Sequence, residues 1–329
     1  MEEKSLLIIH QGAFGDLVLT FPAIGILKKY YNTIDGICQA QLGKLACHLD
    51  IFHKYIPLES ALASSLYSDN INKKIKKIIN LYDDVILFSF SRQLEKNINS
   101  FRKKPTYRIP PRPPIQYQMA QYQMASLNIH IADYLISSII QCRLVNHEDS
   151  LILKYEDNKE HSLRFLSDKI LIHPGSGSKR KNWPVQNFVK LYDALKILDL
   201  KPEFILGPAD EYLLEHIKKD NCPKKIHSPL NLIDLHSILK TASIYIGNDS
   251  GVSHHAAFSG LTCVIIFGPS DPIRWSPLGR AVHIVRYEQL KCLPCFETQK
   301  DNCQNPLCLD NITVEKVLSI VKNLICNVS

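Results

Sequence analysis

No stretch of about 18 or more consecutive apolar residues occurs in this 329-residue chain, so no membrane-spanning helix is expected. The opening residues M-E-E-K-S-L-L-I-I-H put acids first and offer only a short apolar run, which is not the pattern of a secretory signal. The expected location is cytoplasmic. A disulfide framework is also missing: six of the ten cysteines are scattered singly, which fits reduced thiols. The net charge of +7 fits an anionic substrate or a membrane surface. The basic residues are not interleaved with stacking aromatics along one groove, which argues against nucleic acid as a partner. After the first apolar run, the third glycine of a dinucleotide fingerprint is absent, and the loops carry no D-x-D pair.

What is present begins with Ile244 to Pro272, I-Y-I-G-N-D-S-G-V-S-H-H-A-A-F-S-G-L-T-C-V-I-I-F-G-P-S-D-P. An apolar run, a polar turn, a small-residue helical pattern and a second apolar run predict a strand–turn–helix–strand unit, the building block of a parallel sheet. In such sheets ligands bind where loops leave the carboxyl ends of the strands. Ser250 and Gly251 would open the helix, where free N–H groups and the helix dipole favour an anion; Asp249 could cap it, and His254 would add a donor one turn in. An ordinary capped turn has the same composition.

The chain alternates apolar runs and helical patterns from its start. Leu6 to Ile9 reads as a strand and Leu17 to Tyr31 as a helix, with Pro22 kinking it or lying in its first turn. Between them, H-Q-G-A-F-G-D brings the backbone close to a neighbour at its glycines and sets Asp16 at a strand–helix junction. There a carboxylate can cap the helix or serve as a general base. Ile71 to Asn80 reads as a basic amphipathic helix and Asp84 to Phe90 as a strand. Phe101 to Pro114, with five prolines and five Lys or Arg, is expected to be a loop, either a solvated connector or a contact for an anionic acceptor. Q-Y-Q-M-A at 116–120 repeats at 121–125, too short for a repeat architecture. Helix is expected over Ile129 to Cys142 and a short strand over Leu151 to Tyr155. The domain junction is placed near 150, giving domains 1–150 and 151–329.

The second half opens with a strand at Lys169 to Ile172 and then H-P-G-S-G-S-K-R-K-N-W-P. Small residues beside three cations suit a diphosphate, since backbone N–H groups and hydroxyls reach it while a cation neutralises it. Helix follows from Pro184, with apolar residues at Phe188, Leu191, Tyr192, Leu195 and Leu198. Glu203 to Leu206 reads as a strand leading to G-P-A-D-E, whose acids could take a ribose hydroxyl pair or favour a helix N-terminus. Cys292, Cys295, Cys303 and Cys308 have a spacing that could hold a structural zinc, with reduced thiols or a local disulfide as alternatives. Val314 to Ile325 reads as an amphipathic last helix.

Taken together, L-L-I-I-H-Q-G-A-F-G-D-L-V-L-T-F-P-A from Leu6, I-H-P-G-S-G-S-K-R-K-N-W-P from Ile172, G-P-A-D-E from Gly207, and G-N-D-S-G-V-S-H-H-A-A from Gly247 with F-G-P-S-D-P resemble the heptosyltransferases of glycosyltransferase family 9. The resemblance implies an α/β fold of the glycosyltransferase-B type, two Rossmann-like domains with parallel sheets facing a cleft: an N-terminal acceptor domain and a C-terminal donor domain, the last helix packing back on the first. It implies inverting transfer of heptose from ADP-heptose to a hydroxyl of the lipid A–core saccharide of lipopolysaccharide, met at the inner face of the membrane. Asp16 matches the family's general base, Lys181 its diphosphate lysine, and Glu211 its ribose acid. Asp249, Ser250, Gly251 and His254 match the donor loop, and Ser176 a small hydroxyl residue near the phosphates. No cofactor is implied, and the missing D-x-D agrees with a metal-free transfer. The family often has Arg or Lys where this chain has His10, which bears on how the acceptor is held or how Asp16 is charged. The alternatives are a member using another nucleotide sugar or acceptor, and a non-catalytic nucleotide-sugar binding protein.

Overall fold

The computed structural model describes residues 3–113, 129–146, 148, 167–219, 223–296, 303 and 306–326. The Q-Y-Q-M-A repeat and the strand expected over 151–155 lie outside the described residues. The chain divides into two compact units, Met1–Glu156 and Asp157–Ser329.

The first unit is built on five parallel strands: β1 (Ser5–His10), β2 (Thr33–Cys38), β3 (Tyr55–Pro57), β4 (Asp84–Phe88) and β5 (Thr106–Ile109). Their order is β3-β2-β1-β4-β5. Leu6 to Ile9 and Val85 to Phe88 are fully buried because helices cover both faces, which is why these strands read as continuous apolar runs. The helix Lys73–Leu81 buries Ile75 and Ile79, one turn apart, and turns its lysines outward. The helix expected from Leu17 starts at Phe14 and continues through Pro22 to Leu27. Nine of its residues are buried, from Leu17 to Leu27, and that burial outweighs the ~3 kcal/mol a proline costs inside a helix.

The proline-rich stretch differs from expectation. Thr106–Ile109 is a strand paired in parallel with β4. Pro105 and Pro110 flank it, and a proline-bounded segment is tolerated there because β5 is an edge strand.

The second unit has six parallel strands: β6 (Lys169–His173), β7 (Lys201–Ile205), β8 (Ile226–His227), β9 (Ile244–Asn248), β10 (Thr262–Phe267) and β11 (Val282–Arg286). The order β11-β10-β9-β6-β7-β8 is that of a Rossmann sheet, with the reversal of direction between β6 and β9. In the first unit the corresponding reversal lies between β1 and β4. One core runs under the second sheet, from Ile170, Trp183 and Phe188 to Val264 and Ile266. The last helix, Val314–Cys326, buries Val317 and Val321 in that core. Among the described residues no helix is long and apolar enough to cross a membrane.

Candidate functional site

At the first unit's reversal point, the loops after β1 and β4 border an open cavity of about 510 Å³. Gln11, Gly12 and Asp16 line it from one side, Phe88, Ser89, Phe90 and Ser91 from the other, with Pro111 and Arg112 at its edge. Asp16 sits in the first turn of the Phe14–Leu27 helix, and its Oδ2 accepts the Ala13 N–H at 2.9 Å. The carboxylate is thus both a cap and a wall of the cavity. Gln11 bridges the floor: it accepts from the Ser89 hydroxyl and donates to Tyr67. Arg112 is exposed and lies 5.6 Å from the centre of the Phe90 ring. Gln11, Ser89, Ser91 and Arg112 had no individual signal in the sequence, because only the sheet order brings the β1 and β4 loops together.

His10 ends β1 with no exposed surface. Among the described residues neither ring nitrogen makes a well-formed hydrogen bond. Burial pushes its pKa down to about 4, offset in part by a backbone group of Asp16, so the imidazole is neutral near pH 7. Gly12 lets the two side chains come close: a β-carbon there would lie 2.8 Å from His10 Cε1 and 2.9 Å from Asp16 Oδ2. A neutral ring therefore stands beside the Asp16 carboxylate.

In the second unit the loops after β6 and β9 meet at the reversal point. Lys181 Nζ lies 3.0 Å from Asp249 Oδ2, with both side chains mostly buried. Asn248, fully buried, ties the loops together: its Oδ1 accepts the Trp183 N–H at 2.9 Å, and its Nδ2 donates to the Pro174 carbonyl at 2.8 Å. The helix Gly251–Phe258 is capped by Ser250, whose hydroxyl accepts from the Ser253 N–H, rather than by Asp249. With Ser250 at the cap, Asp249 is left to the Lys181 ammonium. His254 is buried on that helix.

Ser176 has a loop-building role. Its hydroxyl is 2.6 Å from Asn182 Oδ1 and 2.7 Å from the Ser178 carbonyl. Glu211 is exposed, while its neighbour Asp210 is the buried acid. Asp210 Oδ2 accepts the Gly207 N–H at 3.0 Å and lies 3.0 Å from His173 Nε2. Tyr212, on the other side of Glu211, accepts from Asn182 Nδ2 and lies 4.4 Å under Lys179. The acids of G-P-A-D-E thus divide: Asp210 shapes the cationic loop, and Glu211 is left facing solvent.

The Cys308 thiol is pushed up to about 11, first by burial and then by the nearby thiols of Cys295, Cys303 and Cys292. The four cysteines gather in one region, but among the described residues no three His, Cys, Asp or Glu converge closely enough to hold a metal ion.

Two parallel α/β units in one chain, each with polar loops at its reversal point, are the make-up of a glycosyltransferase-B-type transferase. The same fold appears in a family 9 glycosyltransferase from Veillonella parvula, with a TM-score of 0.73, 17% identity, and 99% and 98% of the two chains covered. It appears also in the E. coli ADP-heptose LPS heptosyltransferase II, with a TM-score of 0.71, 17% identity, and 98% and 99% covered. Residues 134–304, just over half of the chain, match the model of glycosyltransferase family 9 (heptosyltransferase), and the chain belongs to that family of enzymes. Lys181, Glu211 and the Asp249–Gly251 turn lie inside the matched stretch, and Asp16 lies outside it. Among curated proteins, the lipooligosaccharide heptosyltransferase 2 of Campylobacter jejuni is 22% identical over 326 residues, 95% of this chain and 96% of that one.

Proposed function

We propose that the protein transfers heptose from ADP-heptose to a sugar hydroxyl of the lipopolysaccharide inner core, with inversion at the anomeric carbon. The observation that carries this is the Lys181–Asp249 pair, set beside the N-terminus of the Gly251–Phe258 helix and clamped by Asn248. Cation, N–H groups and helix dipole converge there, the combination that stabilises a departing diphosphate. The names of the E. coli and Campylobacter relatives supply the donor and the acceptor class.

In this reading Asp16 takes the proton of the acceptor hydroxyl. The hydroxyl oxygen bonds to the anomeric carbon as the bond from that carbon to the diphosphate oxygen breaks, and ADP leaves with the electron pair. The proton stays on the Asp16 carboxyl. Lys181, released from Asp249, and the N–H groups at Ser250 and Gly251 meet the charge growing on ADP. Glu211 is the proposed ribose contact. The neutral His10 ring adds no charge to this site.

Calorimetry with ADP-heptose on the wild type and on Lys181→Ala tests the donor, and turnover by Asp16→Asn tests the base. Tight binding lost with Lys181, and turnover lost without loss of binding in Asp16→Asn, are the expected results. Binding of a different nucleotide sugar in place of ADP-heptose would keep the site and remove the heptose assignment.

A further inference from the structure

The cysteine-bearing segment takes no part in the transfer just described, yet it ends in a residue that reaches the donor loop. Phe296 follows Cys295, and the backbone N–H groups of both donate to the Pro269 carbonyl, at 3.0 and 2.9 Å. Pro269 belongs to the loop leaving the carboxyl end of β10. Fixed there, the Phe296 ring faces two consecutive cations. Lys181 Nζ lies 5.0 Å from its centre and Arg180 Cζ lies 5.2 Å from it. The same Lys181 ammonium lies 3.0 Å from Asp249 Oδ2. The face of an aromatic ring carries negative charge density and attracts a cation within about 6 Å.

We infer that Phe296 is a positioning residue for the donor's diphosphate: its ring holds Lys181 and Arg180 at the reversal point, so that the segment from Cys292 to Phe296 serves the active site through this one side chain. The inference rests on Lys181 as the diphosphate lysine. Its consequence is that Lys181 does not swing away when a diphosphate draws it from Asp249. The ring keeps the ammonium over the loop while adding no charge to compete with the phosphate. A leucine would fill much of the same space without the negative face.

The test is ADP binding by calorimetry to the full chain, in a cycle of Phe296→Leu, Lys181→Met and the double variant. Phe296→Leu is expected to weaken ADP about two- to five-fold, the size of a partly exposed cation–π contact. In the Lys181→Met background the same change is expected to cost less, because only the Arg180 contact remains to be lost. A set of mono-, di- and trifluorophenylalanine at 296 keeps the shape and drains the ring face, so affinity should fall stepwise with fluorine content. That series also carries the test should Phe296→Leu fail to fold. Unchanged ADP affinity across the series, or an equal loss with and without Lys181, overturns the inference. Unchanged affinity in Lys181→Met alone refutes the diphosphate reading itself, and the role of Phe296 falls with it. Weakening by Lys181→Met with none by Phe296→Leu or fluorination removes only Phe296.

Discussion

Gly175 occupies the second position after the end of β6, and the space over its α-carbon belongs to Asp210. A β-carbon at 175 would fall 1.8 Å from Asp210 Oδ1, 2.3 Å from its Cγ and 2.7 Å from its Oδ2. Those are contacts no side chain tolerates, so in Gly175→Ala the carboxylate must leave. It is 5% exposed and fixed at 3.0 Å to both the Gly207 N–H and His173 Nε2. Its departure costs two hydrogen bonds and strands a buried donor, about 2–4 kcal/mol in all. Backbone conformation adds nothing, because the only glycine at positive φ among the described residues is Gly260. Both tryptophans of the chain, Trp183 and Trp275, belong to the second unit, so urea unfolding followed by tryptophan fluorescence reports that unit alone. The expected result is a loss of about 2–4 kcal/mol for Gly175→Ala, shrinking below about 1 kcal/mol when the same change is made in Asp210→Ala, which lacks all three clashing atoms. An equal loss in both backgrounds, or no loss in the first, would refute the steric argument.

Two further outcomes follow from buried titratable groups. His10 has its pKa lowered from 6.5 to about 4, so between those values the unfolded chain binds a proton that the folded chain does not. Its contribution is therefore complete above pH 6.5 and is lost as pH falls toward 4, on the order of 3 kcal/mol over the window. His255, lowered to about 3 by burial and then by His236, adds in the same direction. Urea unfolding read by circular dichroism at pH 7 and 4.5 should show a smaller fall in stability for His10→Leu than for the wild type; parallel falls would sink the assignment. Among the cysteines, Cys308 is held at about 11 and Cys38 at about 12 by burial, while Cys292 is exposed. Alkylation at pH 8 with mass-spectrometric mapping should modify the exposed Cys292, Cys303 and Cys326 and leave Cys38 and Cys308 nearly untouched; labelling of Cys308 at the rate of Cys292 would contradict the burial account.

What was legible in the sequence follows from periodicity and from local chemistry. The strands at Leu6, Asp84, Lys169 and Ile244 read directly because a parallel sheet buries both faces and leaves unbroken apolar runs. The N-D-S-G turn read as a helix start because capping needs only neighbours in sequence. What failed was whatever depends on distant partners. Thr106–Ile109 carries β-forming residues, but the prolines around it mask them in the sequence, and pairing with β4 decides the strand. Ser250 took the cap assigned to Asp249, because Asp249 has a better partner 68 residues away in Lys181. Asp210 and Glu211 could not be told apart by composition, and the distinction rests on Gly175, whose missing side chain makes room for only one of them.

The same logic explains why the two candidate centres were unequal in the sequence. The cationic loops advertise themselves, since the diphosphate site proposed there needs small residues and cations close together in the chain. The cavity beside Asp16 does not, since its walls come from β1, β4 and the turn after β5, each with its own unremarkable sequence. A sugar acceptor is recognised by hydroxyls and amides such as Ser89, Ser91 and Gln11, residues that are common on any surface and acquire meaning only through their placement. Under the proposed function, acceptor choice should therefore be altered more readily by changes at Gln11, Ser91 and Arg112 than by any change in the cationic loop.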